Sequence, residues 1–368
     1  MFGFSKPSYL GIDFGTSSIK AVELTEKDGA VQLLNYGQVS LAQLENGVTG
    51  SGRSYDEEVG LYLRALLEKL KPKTHSAFVA MPAFIGLISL IELPEMEEHE
   101  LEEAVQFEAH RYIPSSLEDI ALSWEVVGTR KATDGSGPKL EILVVAALKK
   151  EVERYRGYVM AAGLKMDFLE LETFSLVRSI VGHETGLVLV IDIGSRATNL
   201  VLAENGIVRV SRNLDAGGKD VTRTLAEGLD ITPDRAESLK KSGKDFLNQP
   251  ESALVFPVLD MISNEAKRML DSYKAKYPDA ECRQVILSGG TAYFVGLTDY
   301  YTRQLGIPVA IGNPWQRIQH TPKQKEQIES LGTSFSVALG LALSGLDVKK
   351  EEQKKEGSSL KKFLNKKL

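Results

Sequence analysis

The chain has 368 residues with 44 Lys+Arg against 50 Asp+Glu, a formal charge of −6 that argues against a protein built mainly for nucleic acid. At about 150 residues per domain it should form two or three domains, and 43% hydrophobic residues supply a sizeable core. One cysteine, Cys282, excludes an internal disulfide and suits an intracellular compartment, and five histidines without ligand spacing argue against zinc.

The start, MFGFSKPSYLGID, lacks the parts of a secretory signal, and no apolar run approaches the ~20 residues of a bilayer span. Residues 10–22, LGIDFGTSSIKAV, read as a strand, a turn of small and polar residues, and a second strand. Asp28-Gly29 then marks a tight hairpin turn, and residues 31–41 a third strand. A helix follows over about 55–71, with Val59, Leu63, Leu66, Leu67 and Leu70 on one face. Residues 77–82 and 87–93 read as two short strands ending at Pro94. Next comes a helix over about 97–111, faced by Leu101, Ala104, Val105 and Glu108. Strands around 120–127 and 140–148, and a helix from 149 to 162 stopped by Gly163, complete a small inserted βαββα unit. It carries no catalytic cluster, which suggests a docking surface.

ETFSLVRS, at 172–179, reads as a helix. Residues 189–201, LVIDIGSRATNLV, align without a gap to 10–22, so Asp192 follows Asp13 by 179 positions. Asn205-Gly206, the strand 207–214 and a helix over about 218–229 repeat the first pattern. The stretch 243–257 reads as a loop or broken helix. VILSGGTAYFVG, at 285–296, gives a buried strand, the pair Gly289-Gly290 and a helix. Residues 334–346 form a core helix of Ala, Gly, Leu and Ser. From Asp347 onward eight lysines against four acids make a basic tail of net charge +4.

Two copies of one meander-plus-helix unit predict two similar domains facing each other across a cleft. In the first turn an aspartate at a strand end is followed by glycine and hydroxyls, so backbone N–H and hydroxyl groups can point at phosphate oxygens. The aspartate suits Mg²⁺ held through its own waters. A D-x-G sequence is also a plain turn signal; its recurrence in equivalent frames favours a phosphate clamp. Ser288-Gly289-Gly290 is weak evidence alone, since a tight strand connection explains it equally well. Gly217-Gly218 is a similar weak sign of an anion at a helix N-terminus.

The two hairpins, a linking segment at about 170–180 and VILSGG as an adenosine motif resemble the superfamily of actin, heat-shock chaperones and sugar kinases. Segments 11–24, 80–114, 143–164, 169–179 and 332–345 resemble the PilM family of type IV pilus assembly proteins, relatives of the cell-division protein FtsA. The resemblance spans roughly residues 8–346. It implies an α/β fold of actin-like duplicated β-meander/helix domains facing a nucleotide cleft, with an inserted FtsA-like small α+β subdomain. The implied domains are 8–75 with 166–185 and 333–346, the insert 76–165, the second actin-like domain 186–332, and a disordered basic tail over 347–368.

The resemblance also assigns residues. Asp13, Gly15, Thr16, Ser17 and Lys20 fall in the first phosphate motif, and Asp192, Gly194 and Thr198 in the second. Asp13 and Asp192 would hold Mg²⁺ through water. Gly217, Gly218 and Thr222 match the stretch before the ATP-facing helix. Glu237 and Lys240 match an A-E-x-x-K pattern beside ribose and adenine, and they also read as an ordinary i,i+3 surface pair. Ser288, Gly289 and Gly290 form the adenosine motif. Glu172 sits where related ATPases place the group that orients the attacking water. It reads equally as a first-turn glutamate stabilising the helix dipole. Arg196 departs from the small residue usual there, and it either reaches a phosphate or crowds the site.

The function implied is that of a cytoplasmic assembly protein, peripheral to the inner membrane, that binds ATP and Mg²⁺ and hydrolyses ATP slowly at most. Its implied partner is a PilN-like inner-membrane protein, whose cytoplasmic N-terminal peptide docks in a groove between the insert and the first phosphate domain. Self-association is a further expectation. The tail places Leu360, Phe363, Leu364 and Leu368 at helical spacing with lysines on the other face, giving either a weak lipid contact or a disordered end. The alternatives are an FtsA-like membrane-associated filament protein and a small-molecule kinase. No acceptor-side acid or histidine motif around 166–185 supports the kinase. A fourth is a subunit resembling the cytoplasmic part of GspL, a family that continues into a transmembrane helix not seen in this sequence.

Overall fold

The computed structural model describes residues 7–45, 53–109, 111, 117–131, 137–182, 184–248, 254–320 and 322–348. The expected helix at 360–368 lies outside them. In chain order the chain begins with β1 (Ser8–Phe14), β2 (Ser18–Lys27), β3 (Ala30–Ser40), α1 (Ala42–Glu45), α2 (Tyr55–Leu70) and β4 (Ser76–Met81). Then come β5 (Gly86–Pro94), α3 (Glu98–Ala109), β6 (Ile120–Lys131), β7 (Pro138–Leu148), α4 (Lys149–Ala161), β8 (Lys165–Leu171) and α5 (Glu172–Ile180). The second half holds β9 (Leu187–Ile193), β10 (Thr198–Glu204), β11 (Ile207–Leu214), α6 (Gly218–Leu229), α7 (Pro233–Lys240) and α8 (Pro257–Lys276). It ends with β12 (Cys282–Ser288), α9 (Leu297–Leu305), β13 (Val309–Ile311), α10 (Pro322–Leu331) and α11 (336–348).

These elements form two compact units. One is Met1–Ala80 with Tyr158–Ser179 and Asn313–Leu368; the other is Met81–Gly157 with Ile180–Gly312. The first unit is built on a sheet of order β3-β2-β1-β4-β8. The β2–β3 turn has Asp28 at φ 54 and Gly29 at φ 79, both left-handed, as the tightest hairpin turns require. Ser54 caps α2: Glu57 N donates to Ser54 Oγ, and Ser54 N donates to the Glu57 carboxylate. One expectation is corrected here. The strand at 77–82 does not belong to the inserted sheet; as β4 it runs parallel to β1, with Leu10 opposite Ala77 and Asp13 opposite Ala80. Local pattern shows that a strand exists but not which partner it pairs with.

The meander residues Val22, Leu24 and Leu33 pack against Trp315, Phe335, Ala338, Leu339 and Ala342. The helical run Gln324–Val348 is long and apolar enough to cross a membrane, yet 72% of its apolar stretch is buried inside this fold. That burial marks it as a core helix. Glu23 is fully buried on β2 and is satisfied by neutral donors: Ser8 Oγ, Asn35 Nδ2 and the Lys73 amide, each at 2.7 Å.

The second unit repeats the architecture in a sheet of order β11-β10-β9-β12-β13. Its β10–β11 turn has the same dihedral signature, Asn205 at φ 54 and Gly206 at φ 79. The same unit holds the insert's sheet, of order β5-β7-β6. Leu101, Val105 and Ala109 of α3 cover it against Ile91, Ile120, Ile142 and Val144. A charged network ties the two sheets of this unit together. Arg209 of β11, 6% exposed, donates to Glu141 of β7, 3% exposed, at 2.8 Å, and its other terminal nitrogen lies 3.1 Å from Glu204. Arg130 of β6 bonds Glu204 at 2.6 Å. Its Nε is in ion-pair reach of Glu141 at 2.8 Å, though not aligned as a hydrogen bond. Arg130 also lies over the Tyr277 ring at 4.2 Å, and Tyr277 donates to Glu92 at 2.7 Å.

Candidate functional site

In the first unit the site residues gather at one end of the sheet. Asp13, 6% exposed, ends β1 opposite Lys20 of β2. The turn joining them closes through Gly15 N donating to Ser18 O at 3.0 Å, and Leu41 N donates to Ser17 O at 2.8 Å. Thr16 and Ser17 form the turn tip. Glu172 opens α5 directly after β8, a strand that β4 separates from β1.

The second unit brings more together. Asp192 of β9 stands opposite Asn199 of β10 on one side and Ser288 of β12 on the other. The strands β9 and β12 are parallel, so the second hairpin and the S-G-G motif leave the sheet side by side at carboxyl ends, where open α/β sheets bind ligands. Gly289 sits at φ +83, and a Cβ there would lie 2.4 Å from the Ile193 carbonyl oxygen. Only glycine permits that approach. The chain after it forms a 3-10 turn at Gly290–Tyr293 before α9, rather than the helix expected from sequence, because Gly296 at φ 84 resets the backbone.

The second hairpin closes through Gly194 N donating to Ala197 O at 2.9 Å. The N-terminus of α6 is seated on it: Gly218 N donates to Gly194 O at 2.9 Å, and Lys219 N donates to Ser195 O at 2.8 Å. A Cβ on Gly217 would stand 2.7 Å from Gly194 O, so the glycine pair is what allows helix and hairpin to meet. Thr198 is fully buried and donates to Ala216 O at 2.7 Å, which gives its hydroxyl proton to the scaffold.

Half-buried Glu237 forms a polar cluster with the buried Lys240 and Thr222. Lys240 Nζ lies 3.0 Å from Gly218 O, 2.9 Å from Thr222 Oγ1 and 2.7 Å from Glu237 Oε2. Thr222 Oγ1 is 2.5 Å from the same carboxylate oxygen. Burial works against the Glu237 charge, but hydrogen bonds from Lys240, Thr222 and Lys241 outweigh it and hold the carboxyl at about 2. Burial pushes the Lys240 ammonium down, opposed by Glu237.

Sequence reasoning missed two members of this site. Thr291 is buried with Oγ1 only 2.3 Å from where a Gly218 Cβ would be, and Asp220 accepts from Gly217 N at 2.9 Å. The spacing G-x-x-D was a legible capping signal for Asp220. Nothing local marked Thr291.

Residues 11–346 match the family described as type IV pilus assembly protein PilM. The chain belongs to this family. A chain of a solved PilM-PilN type IV pilus biogenesis complex is similar to it, with a TM-score of 0.75, 25% identity, and coverage of 93% of this chain and 99% of that one. Ethanolamine utilization protein EutJ from Carboxydothermus hydrogenoformans shares the fold at a TM-score of 0.55 and 20% identity, covering 92% and 90%. Cell division protein FtsA of Pseudomonas aeruginosa is 22% identical over 92% of this chain and 89% of the relative. FtsA of Enterococcus hirae is 22% identical over 84% and 78%. The expected family therefore holds, and the fold is the expected actin-like α/β duplication carrying an inserted α+β sheet.

Proposed function

We propose that this member of the pilus-assembly family binds ATP with Mg²⁺. The observation that carries the reading is the convergence on the second hairpin of a glycine-opened helix N-terminus and a glycine strand end. The first N–H groups of α6 are taken by Asp220, Gly194 O and Ser195 O, so what this cradle offers phosphate is a positive helix end and close backbone approach at the glycines. Asp13, Gly15, Thr16, Ser17 and Lys20 would serve as the first phosphate motif and Asp192, Gly194 and Thr198 as the second; Gly217, Gly218 and Thr222 would open the helix facing ATP, and Ser288, Gly289 and Gly290 would flank the adenosine. Among the described residues no three of His, Cys, Asp or Glu converge. Asp13 and Asp192 are the metal-side carboxylates of this reading, each suited to Mg²⁺ through the ion's own waters. When bound, Mg²⁺ neutralises phosphate charge. Glu172 would orient the attacking water, and hydrolysis is slow at most, since a scaffold gains from occupancy and not from rate.

The partner in this reading is a PilN-like membrane protein, whose N-terminal peptide docks on the inserted sheet and keeps the chain at the cytoplasmic face of the inner membrane. The solved PilM-PilN complex among similar structures supports it. Isothermal titration with an ATP analogue and Mg²⁺ tests the nucleotide half: binding is expected in the wild type and lost in Asp13→Ala and in Asp192→Ala. Wild-type affinity in both variants would remove the clamp. A pull-down from membranes with and without ATP-Mg²⁺ tests the partner half. Capture of a PilN-like protein, changed by nucleotide, is the expected result.

A further inference from the structure

We propose that Arg196 is a phosphate ligand, the cation through which the second hairpin holds a polyphosphate chain. The inference rests on the ATP-Mg²⁺ reading above and adds to it one residue that the reading does not use. The offset that places Asp192 on Asp13 also places Asn199 on Lys20 and Arg196 on Ser17. Strand register agrees: Lys20 stands opposite Asp13, and Asn199 stands opposite Asp192. Each hairpin therefore carries one cation, at the stem of the first and at the tip of the second. The stem position of the second is neutral and occupied within its sheet, since Asn199 is 3% exposed and its Oδ1 accepts from Ser211 Oγ at 3.2 Å.

Arg196 is exposed, and the bond from Gly194 N to Ala197 O makes Ser195 and Arg196 the two residues of the tip. Ser195 O in turn accepts from Lys219 N at 2.8 Å, and Lys219 is an exposed residue of the first turn of α6. Hairpin tip and helix start thus each bring a cationic residue to one place. The acid of the same helical turn is engaged elsewhere: Asp220 accepts from Gly217 N and from Arg223. Cations at the positive end of a helix are unfavourable by themselves. A polyanion reverses the sign of that interaction. Arginine is suited to it, because a guanidinium stays charged and offers phosphate a planar fork of N–H donors. Obstruction of the ligand by the same side chain is the competing outcome, and bulk and charge can be varied separately to tell them apart.

Isothermal titration of the full chain uses three probes: Mg²⁺-ATP, Mg²⁺ with inorganic tripolyphosphate, and adenosine. Arg196→Met keeps much of the bulk and removes the charge. It is expected to weaken ATP and tripolyphosphate alike by about tenfold or more, the scale of a hydrogen bond to a charged group. Arg196→Lys should recover part of that loss, and adenosine should bind the wild type and both variants equally. Unchanged ATP affinity in Arg196→Met overturns the proposal. So does tighter ATP binding in Arg196→Ala, which would show that the side chain obstructs the site. A loss that adenosine shares overturns it too, because the defect would then lie in the hairpin and not in the charge. Salt gives an independent readout: tripolyphosphate affinity should fall more steeply with NaCl in the wild type than in Arg196→Met, and equal slopes overturn the assignment. A wild-type chain that binds neither ATP nor tripolyphosphate overturns the nucleotide reading and this proposal with it, whereas wild-type binding with the wrong variant pattern overturns only the role of Arg196.

Discussion

The two copies of the meander have the same strands and the same turn dihedrals, yet their surroundings differ. Beside the first hairpin the chain continues through Leu41, which donates to Ser17 O, into the four-residue α1. Beside the second, a twelve-residue helix begins directly on the turn, with two glycines at its start and a buried lysine beneath them. Buried charge is handled differently too. Glu23 of β2 is met by a hydroxyl, an amide side chain and a backbone N–H, while Glu141 of the insert's β7 is hydrogen-bonded by Arg209 with Arg130 in ion-pair reach, as Glu170 in the first unit is paired by Arg178. Duplication thus preserves what the backbone needs locally, and the copies diverge where they meet other elements.

The largest test of that contrast is at the buried charges. Arg209→Met should cost about 3 kcal/mol, the low end for breaking a buried pair, because it takes the hydrogen-bonding arginine from Glu141 and leaves Arg130 as its remaining cation. Glu23→Gln should cost only about 1–2 kcal/mol, since its neutral donors lose little Coulomb energy when the charge goes. Urea denaturation of both variants checks the order; equal losses would mean that neutral donors and arginines hold a buried carboxylate equally.

The strand end next to the second hairpin comes next. Gly289→Ala meets both a φ of +83 and a carbonyl oxygen 2.4 Å from the new Cβ. A loss of about 3 kcal/mol is expected from strain and overpacking together. Thermal unfolding should show it.

A smaller effect follows from Glu237. Its folded carboxyl at about 2 lies below the ordinary 4.5, so its contribution is present above pH 4.5 and is lost as the pH falls towards 2. The side chain is more than a third exposed, and solvent screening reduces the stabilisation to about 1 kcal/mol. Glu237→Gln should flatten the stability profile in that window and lower it by about 1 kcal/mol above it, with no change of slope there. An acid limb that survives in Glu237→Gln would assign it to another carboxylate.

The smallest expected effect returns to the first hairpin. A Cβ on Gly15 would meet Ser18 O at 3.1 Å with no left-handed φ to violate. Gly15→Ala should cost under about 1 kcal/mol, and melting curves of Gly15→Ala and Gly289→Ala side by side give the contrast.

The repeat, both hairpin turns and most helix bounds could be read directly from sequence. Asn205-Gly206 must turn back because its residues tolerate left-handed dihedrals, and α2 fills 55–70 because Ser54 and Glu57 cap it. The geometry of each candidate hairpin was legible for the same reason, since the aspartate, the glycine and the turn closure lie within six positions of one another.

Pairings across the chain were not legible. Sequence alone determined that residues 77–82 form a strand; the hydrogen-bonding edge of β1 decided which sheet it joined. Glu141 and Arg209 are 68 positions apart, and Gly218 and Lys240 are 22 apart. No period or dipeptide links such residues. Dihedral preferences and side-chain periodicity act over a few residues and write themselves into the sequence. The partner of a buried charge is chosen only when folding has removed water from both groups, and that choice belongs to the tertiary structure.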